Sequence, residues 1–154
     1  MLMDTSTVLV LLSWASHLSG YPAPELPPAI HFEPHSFFVE HACGGRDCRV
    51  VGWYNDENVI YVDDSLRDSN SAFAASLVVH EMVHFLQHHS GRFDSHSCED
   101  SLAREREAYR VQNSYIIEAH ASFQFVRPGP FSCAYDRKPV LAGESGPAPV
   151  SPAR

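Results

Sequence analysis

The residues best suited to chemistry lie in the stretch Val78-Val79-His80-Glu81-Met82-Val83-His84-Phe85-Leu86-Gln87-His88-His89, which contains the pattern HExxH. On an α-helix, residues four apart differ by about 40° around the axis and by one turn along it. His80 and His84 therefore face the same way and can offer two imidazole nitrogens to one metal ion. Glu81 sits about 100° from His80, to the side of that ion, where its carboxylate can take a proton from water and pass it to a leaving amine. Three ionisable groups inside so apolar a helix (Leu77, Val78, Val79, Val83, Phe85 and Leu86 surround them) are costly without a compensating partner, and a cation is the simplest one.

Two imidazoles do not complete a tetrahedral site. His88 continues the same face, but a rigid helix carries it about 12 Å from His80, too far for one ion. The pattern HExxHxxGxxH also fails, because Gln87 replaces its glycine and Ser90 its third histidine. The third ligand is expected from a second helix that begins Ser101-Leu102-Ala103-Arg104-Glu105-Arg106-Glu107-Ala108-Tyr109. Ala108, Val111, Gln112 and Tyr115 define its buried side. Glu107 adjoins Ala108, whose small side chain allows close helix packing, so Glu107 is the expected ligand. Glu105, set between Arg104 and Arg106, is the alternative.

HEMVH followed by a helical Glu107-Ala108 resembles the gluzincin branch of zinc metallopeptidases. The resemblance implies one zinc ion on His80, His84 and Glu107, Glu81 as general base, and a peptide or protein substrate. It also implies a small sheet whose edge strand holds substrate backbone, for which the Asn58–Asp63 segment is the candidate. The longer pattern, covering most of residues 8–125, is similar to small bacterial HExxH proteins grouped as a domain of unknown function. Two departures stand out. Thermolysin-like gluzincins carry an aspartate four residues after the ligand glutamate, and here that position is Val111; Gln112 or Asn113 is left to support a zinc histidine. The chain also lacks the C-terminal helical domain that supplies an oxyanion stabiliser in larger relatives, so the local candidates are Tyr109, Tyr115 and His120.

The elements that must position these groups can be read along the chain. Its 154 residues fit one α+β domain over residues 1–140, with residues 141–154 as a disordered tail without apolar pattern. Val8, Leu11, Leu12, Ala15 and Leu18 share one helical face, with Asp4 or Thr5 to cap it and Gly20 to end it. An atypical signal segment is the competing reading of residues 1–20, and the apolar run is too short to span a bilayer. Ala29–Glu33, Arg49–Tyr54 and Val59–Asp63 read as strands of an antiparallel sheet, the last two joined by an Asn55–Asn58 turn. The HExxH helix should run from about Ser71 to Ser90, with Gly91 after it, and the second from about Asp100 to Phe123.

Four cysteines suggest disulfides Cys43–Cys48 and Cys98–Cys133, with Gly44 and Gly45 turning the short loop. Disulfides favour an extracytoplasmic location, whereas the absence of a convincing signal peptide favours the cytoplasm. A net charge of −8 argues against nucleic acid as a partner. The function reading is peptide-bond hydrolysis, with a non-catalytic zinc-stabilised module as its alternative and a metal-free stapled domain as a third.

Overall fold

The computed structural model describes residues 2–93, 95–120, 125–129 and 133. Helix α1 spans Thr5–Ser19, its Asp4 cap accepting the Thr7 N–H at 2.9 Å and Gly20 closing it with a left-handed φ of 82°. Val8, Leu11, Leu12 and Ala15 are buried as the 3.6-residue pattern requires, and Leu18 packs at their margin. Strand β1 (Ala29–Glu33), helix α2 (His35–His41), and strands β2 (Gly52–Tyr54) and β3 (Val59–Asp63) follow. The two long helices are α3 (Ala72–Ser90), capped by Ser71 and Gly91, and α4 (Cys98–His120). The expected end of α4 at Phe123 and the expected tail at 141–154 lie outside the described residues. None of the described helices is long and apolar enough to cross a membrane.

The fold is α+β, but the sheet is mixed rather than antiparallel. Its order is β1-β3-β2, with β1 parallel to β3 and β2 antiparallel to it. The turn at Asn55–Asn58 makes the β2–β3 hairpin, with Asp56 and Asn58 both at positive φ, where short polar side chains are tolerated. Between β1 and β2 the chain inserts α2 and the cysteine loop. That length lets β3 return beside β1 in the same direction, as parallel pairing requires. The seven residues of α2 are too few to show a helical period, and the sequence reading passes over them. With β3 paired on both sides, Asn58–Asp63 is not an edge strand; β2 holds the edge that faces the cleft.

Ile30, Phe32, Ile60 and Val62 from the sheet meet Val78, Val79, Met82, Val83, Phe85 and Leu86 of α3 in one core. Ala108, Val111 and Tyr115 of α4 complete it. Each fully buried side chain of this kind contributes roughly 1.5–3 kcal/mol, so α3, the most buried element, is also the most firmly held. Both disulfides form, Cys43–Cys48 and Cys98–Cys133. Gly44 and Gly45 take φ of 60° and 79° within the first loop.

His35 pins that loop to the sheet. Its Nδ1 contacts Asp63 Oδ2 at 2.9 Å and its Nε2 contacts the Cys48 carbonyl at 3.0 Å. Both partners are acceptors, so the ring does best as a cation, and the hydrogen bond to Asp63 raises its pKa above 6.5. Burial pushes the Asp63 carboxyl up, yet donors from Ser65 and His35 outweigh it and the net pKa falls below 3.8. The His35 share of stability is therefore complete below pH 6.5 and is lost as pH rises through the raised value. The Asp63 share is present above pH 3.8 and is lost as pH falls through the lowered one. In thermal melts, His35→Phe should lower Tm most between about pH 4 and pH 6.5, with the gap closing on both sides of that window.

Candidate metal centre

Three donors converge between α3 and α4. His80 Nε2 and His84 Nε2 are 3.2 Å apart, Glu105 Oε2 is 3.4 Å from the first, and Glu105 Oε1 is 3.1 Å from the second. Together they form a group that could hold a metal ion. The glutamate is Glu105, not the expected Glu107. The reason is angular: successive helical residues turn by 100°, so Glu105 lies about 60° from Ala108 whereas Glu107 lies about 100° away on the other flank. Glu105 also stands seven residues before Gln112, on the same stripe of α4. Sequence adjacency to Ala108 is a poorer guide than that spacing.

Glu107 has another task. Its Oε2 accepts hydrogen bonds from the Tyr21 hydroxyl at 2.8 Å and from Gln87 Nε2 at 2.9 Å. Gln87 Nε2 also donates to the Arg104 carbonyl at 3.1 Å. With the amide nitrogen so committed, Gln87 Oε1 faces His84 Nδ1 at 2.9 Å and must accept its proton. His80 is supported in the same way. Gln112 Nε2 donates to Ser76 Oγ at 3.1 Å, which turns Gln112 Oε1 to accept from His80 Nδ1 at 3.0 Å. Both imidazoles thus carry a proton on Nδ1 and present Nε2 to the centre. Of the two supports considered from sequence, Gln112 acts; Asn113 instead ties both its amide ends to Val126. Gln87 is missed by sequence reading, although its place three residues after His84 is a visible signal.

The two Nε2 atoms stand 3.2 Å apart with the Glu105 carboxylate beside both. Burial alone would lower the His84 pKa, but the Glu105 hydrogen bond and the charges of Glu81 and Glu105 push it up to about 9. The reciprocal effect holds the half-exposed Glu105 carboxyl well below the usual carboxylate range, against the cost of its partial desolvation. Proton and metal would compete for the same nitrogen, so a metal ion taken up near neutral pH would displace a proton.

Glu81 is buried beside the triad without joining it. The backbone N–H of Tyr54 donates to its Oε2 at 3.1 Å. Gly52 makes this approach feasible, since a Cβ there would stand 3.0 Å from Glu81 Oε1 and 3.2 Å from Leu77 Cγ. Of the three oxyanion candidates, only Tyr109 lines the cleft, its ring 4.6 Å from that of His80. Burial, then the Glu105 and Glu81 charges, raise its pKa, so it keeps its proton as a donor. Tyr115 is buried against Trp14 and bonds His120 at 3.2 Å, so neither of that pair reaches the centre. His88 and His89 bond Tyr54 and Asn58 instead, as expected of non-ligands. The centre opens into a cleft of about 970 Å³ along β2.

No family model, no curated protein and no solved structure matches the chain, so the class of the centre rests on its own geometry. The donor set assigns distinct outcomes to its glutamates. In equilibrium dialysis against zinc, Glu105→Ala should abolish specific binding. Glu107→Ala and Gln112→Leu should keep the site but weaken it about 10- to 100-fold, the usual effect of losing a group that orients a ligand. Loss in Glu107→Ala with retention in Glu105→Ala would reverse the ligand assignment.

Proposed function

We propose that the chain is a zinc-dependent peptidase, with the ion on His80, His84 and Glu105 and with Glu81 as general base. The supporting observation is a donor triangle with an uninvolved carboxylate beside it. Tetrahedral ligands about 2.0 Å from zinc stand roughly 3.3 Å from one another; the two Nε2 atoms here are 3.2 Å apart, and Glu105 brings one oxygen to 3.4 Å from His80 and the other to 3.1 Å from His84. Two imidazoles and one carboxylate are a donor set suited to zinc, and three protein ligands are the number used where one position is left for substrate or water. A bound zinc ion would supply Lewis acidity, acidifying water and polarising a carbonyl.

The remaining steps fall to the chain's own residues. Glu81, aimed by the Tyr54 N–H, takes the proton from the attacking water and hands it to the departing nitrogen. Tyr109, kept protonated, is placed to donate to the oxygen on which charge develops. Strand β2 offers a backbone edge to an extended substrate. Val51 O and Asn55 N already bond β3, so by antiparallel alternation the polar backbone atoms of Gly52 and Tyr54 point to the cleft, where one N–H serves Glu81. Both disulfides are consistent with an extracytoplasmic site of action.

The deciding comparison is wild type against Glu81→Gln. The variant should bind zinc with unchanged stoichiometry while kcat/KM on a fluorogenic peptide falls about 10²- to 10⁴-fold. Equal hydrolysis by both would remove Glu81 from the chemistry. Unchanged zinc binding with no hydrolysis by wild type would favour a zinc-stabilised binding module instead.

A further inference from the structure

The cleft has two unlike ends. Helix α3 runs along its floor and α4 runs antiparallel, since Gln87 meets Arg104 and Glu107 whereas Ser76 and His80 meet Gln112. Phe73 and Leu77 precede the histidine pair, and Val126 joins them through Asn113, so that end is apolar. Beyond the pair, the lining comes from His88, Arg92, His96 and Arg104.

The charge of this second end contrasts with that of the chain, which carries 19 acidic residues against 11 Lys and Arg. Two of those cations, Arg92 and Arg104, line this end together with Asp56, which stands 4.0 Å from His88, whereas Arg49 lines the cleft ahead of Gly52, on the Leu77 side. The cleft carboxylates are Asp56, Glu81 and Glu105, and the last two are turned to the metal centre. Arg104 donates to the carbonyls of Phe93 and Ser95 and to the Ser101 hydroxyl, all neutral acceptors that fix the guanidinium without cancelling its charge. Arg92 is exposed and lies over the Phe93 ring, its Cζ 5.1 Å from the centroid. Among the described residues, no ion pair joins Arg92 or Arg104 to a carboxylate, although the Arg92 charge also acts on the Tyr21 hydroxyl that donates to Glu107. A concave, partly apolar wall concentrates such a field.

We propose that the cleft selects peptides bearing an acidic residue on the side of the scissile bond that lies over the C-terminal end of α3, with an apolar residue toward Phe73 and Leu77. This specificity rests on the peptidase reading above. The acidic exterior then repels acidic peptides everywhere except at this cleft, so discrimination comes from repulsion as well as attraction.

The test uses full-length Glu81→Gln protein loaded with zinc, which leaves the peptide intact. Fluorescein-labelled decapeptides of Ala and Ser would carry a central Phe next to two Glu, in both orders, and matched peptides would carry Gln. In fluorescence anisotropy at 50 mM salt, a Glu peptide should bind about fivefold to tenfold tighter than its Gln partner, with the gap shrinking at 500 mM salt. Arg92→Glu, and more mildly Arg92→Gln, should erase the preference. Arg110→Glu makes the same charge change on an exposed part of α4 outside the cleft and should leave it. Equal binding of Glu and Gln peptides, binding of neither, or equal damage from Arg110→Glu and Arg92→Glu would each overturn the proposal. Wild-type hydrolysis is scored separately. Selective binding without cleavage would remove the peptidase reading alone, and cleavage without a Glu preference would remove the specificity alone.

Discussion

The centre depends on where two protons go. Each imidazole can offer one nitrogen to a cation only if the other nitrogen keeps its hydrogen, and inside a helix pair that hydrogen needs an acceptor. The carbonyl oxygens of Gln87 and Gln112 provide it. A carboxylate would do the same with more basicity. An uncharged amide leaves the donor group with a single negative member, Glu105, so a dication held there would keep more of its positive charge. The amides are directional only because their nitrogens are committed elsewhere, to Glu107 and the Arg104 carbonyl on one side and to Ser76 on the other.

The sheet contributes through one edge. Strand β2 is three residues long, yet its free side sets the position of Glu81 through a single N–H, and a Cβ at Gly52 would press on the Glu81 and Leu77 side chains at 3.0–3.2 Å. Strand β3 beneath it is held from both sides, so this edge has a stiff backing. Without that donor a buried carboxylate oxygen would lack a partner and the side chain would lose its anchor.

The three long helices were legible because their signals are local. The caps at Asp4 and Gly20, the apolar face of α1 and the HExxH spacing each involve residues a few positions apart, and each appears where the pattern placed it. The disulfide partners were legible because one pair could close a short glycine loop, which left the other. The direction of β1 relative to β3 was not, since it depends on how a short helix and a loop redirect the chain, and seven residues carry no period. The choice between Glu105 and Glu107 lay between these cases. The angle that decides it is present in the sequence, but adjacency to a small residue carried more weight than the seven-residue spacing to Gln112.

The centre also has a direction in time. A growing chain makes α3, with both imidazoles and Gln87, before it makes any of α4. Until residues 98–120 have emerged and docked, His80 has no amide acceptor, Gln87 has no anion to orient it, and the third donor does not exist. A partly synthesised chain therefore offers a metal ion two loosely held nitrogens, as any histidine-bearing peptide would. All three donors come together only when α4 docks, so any selectivity for an ion would belong to the finished fold rather than to the motif.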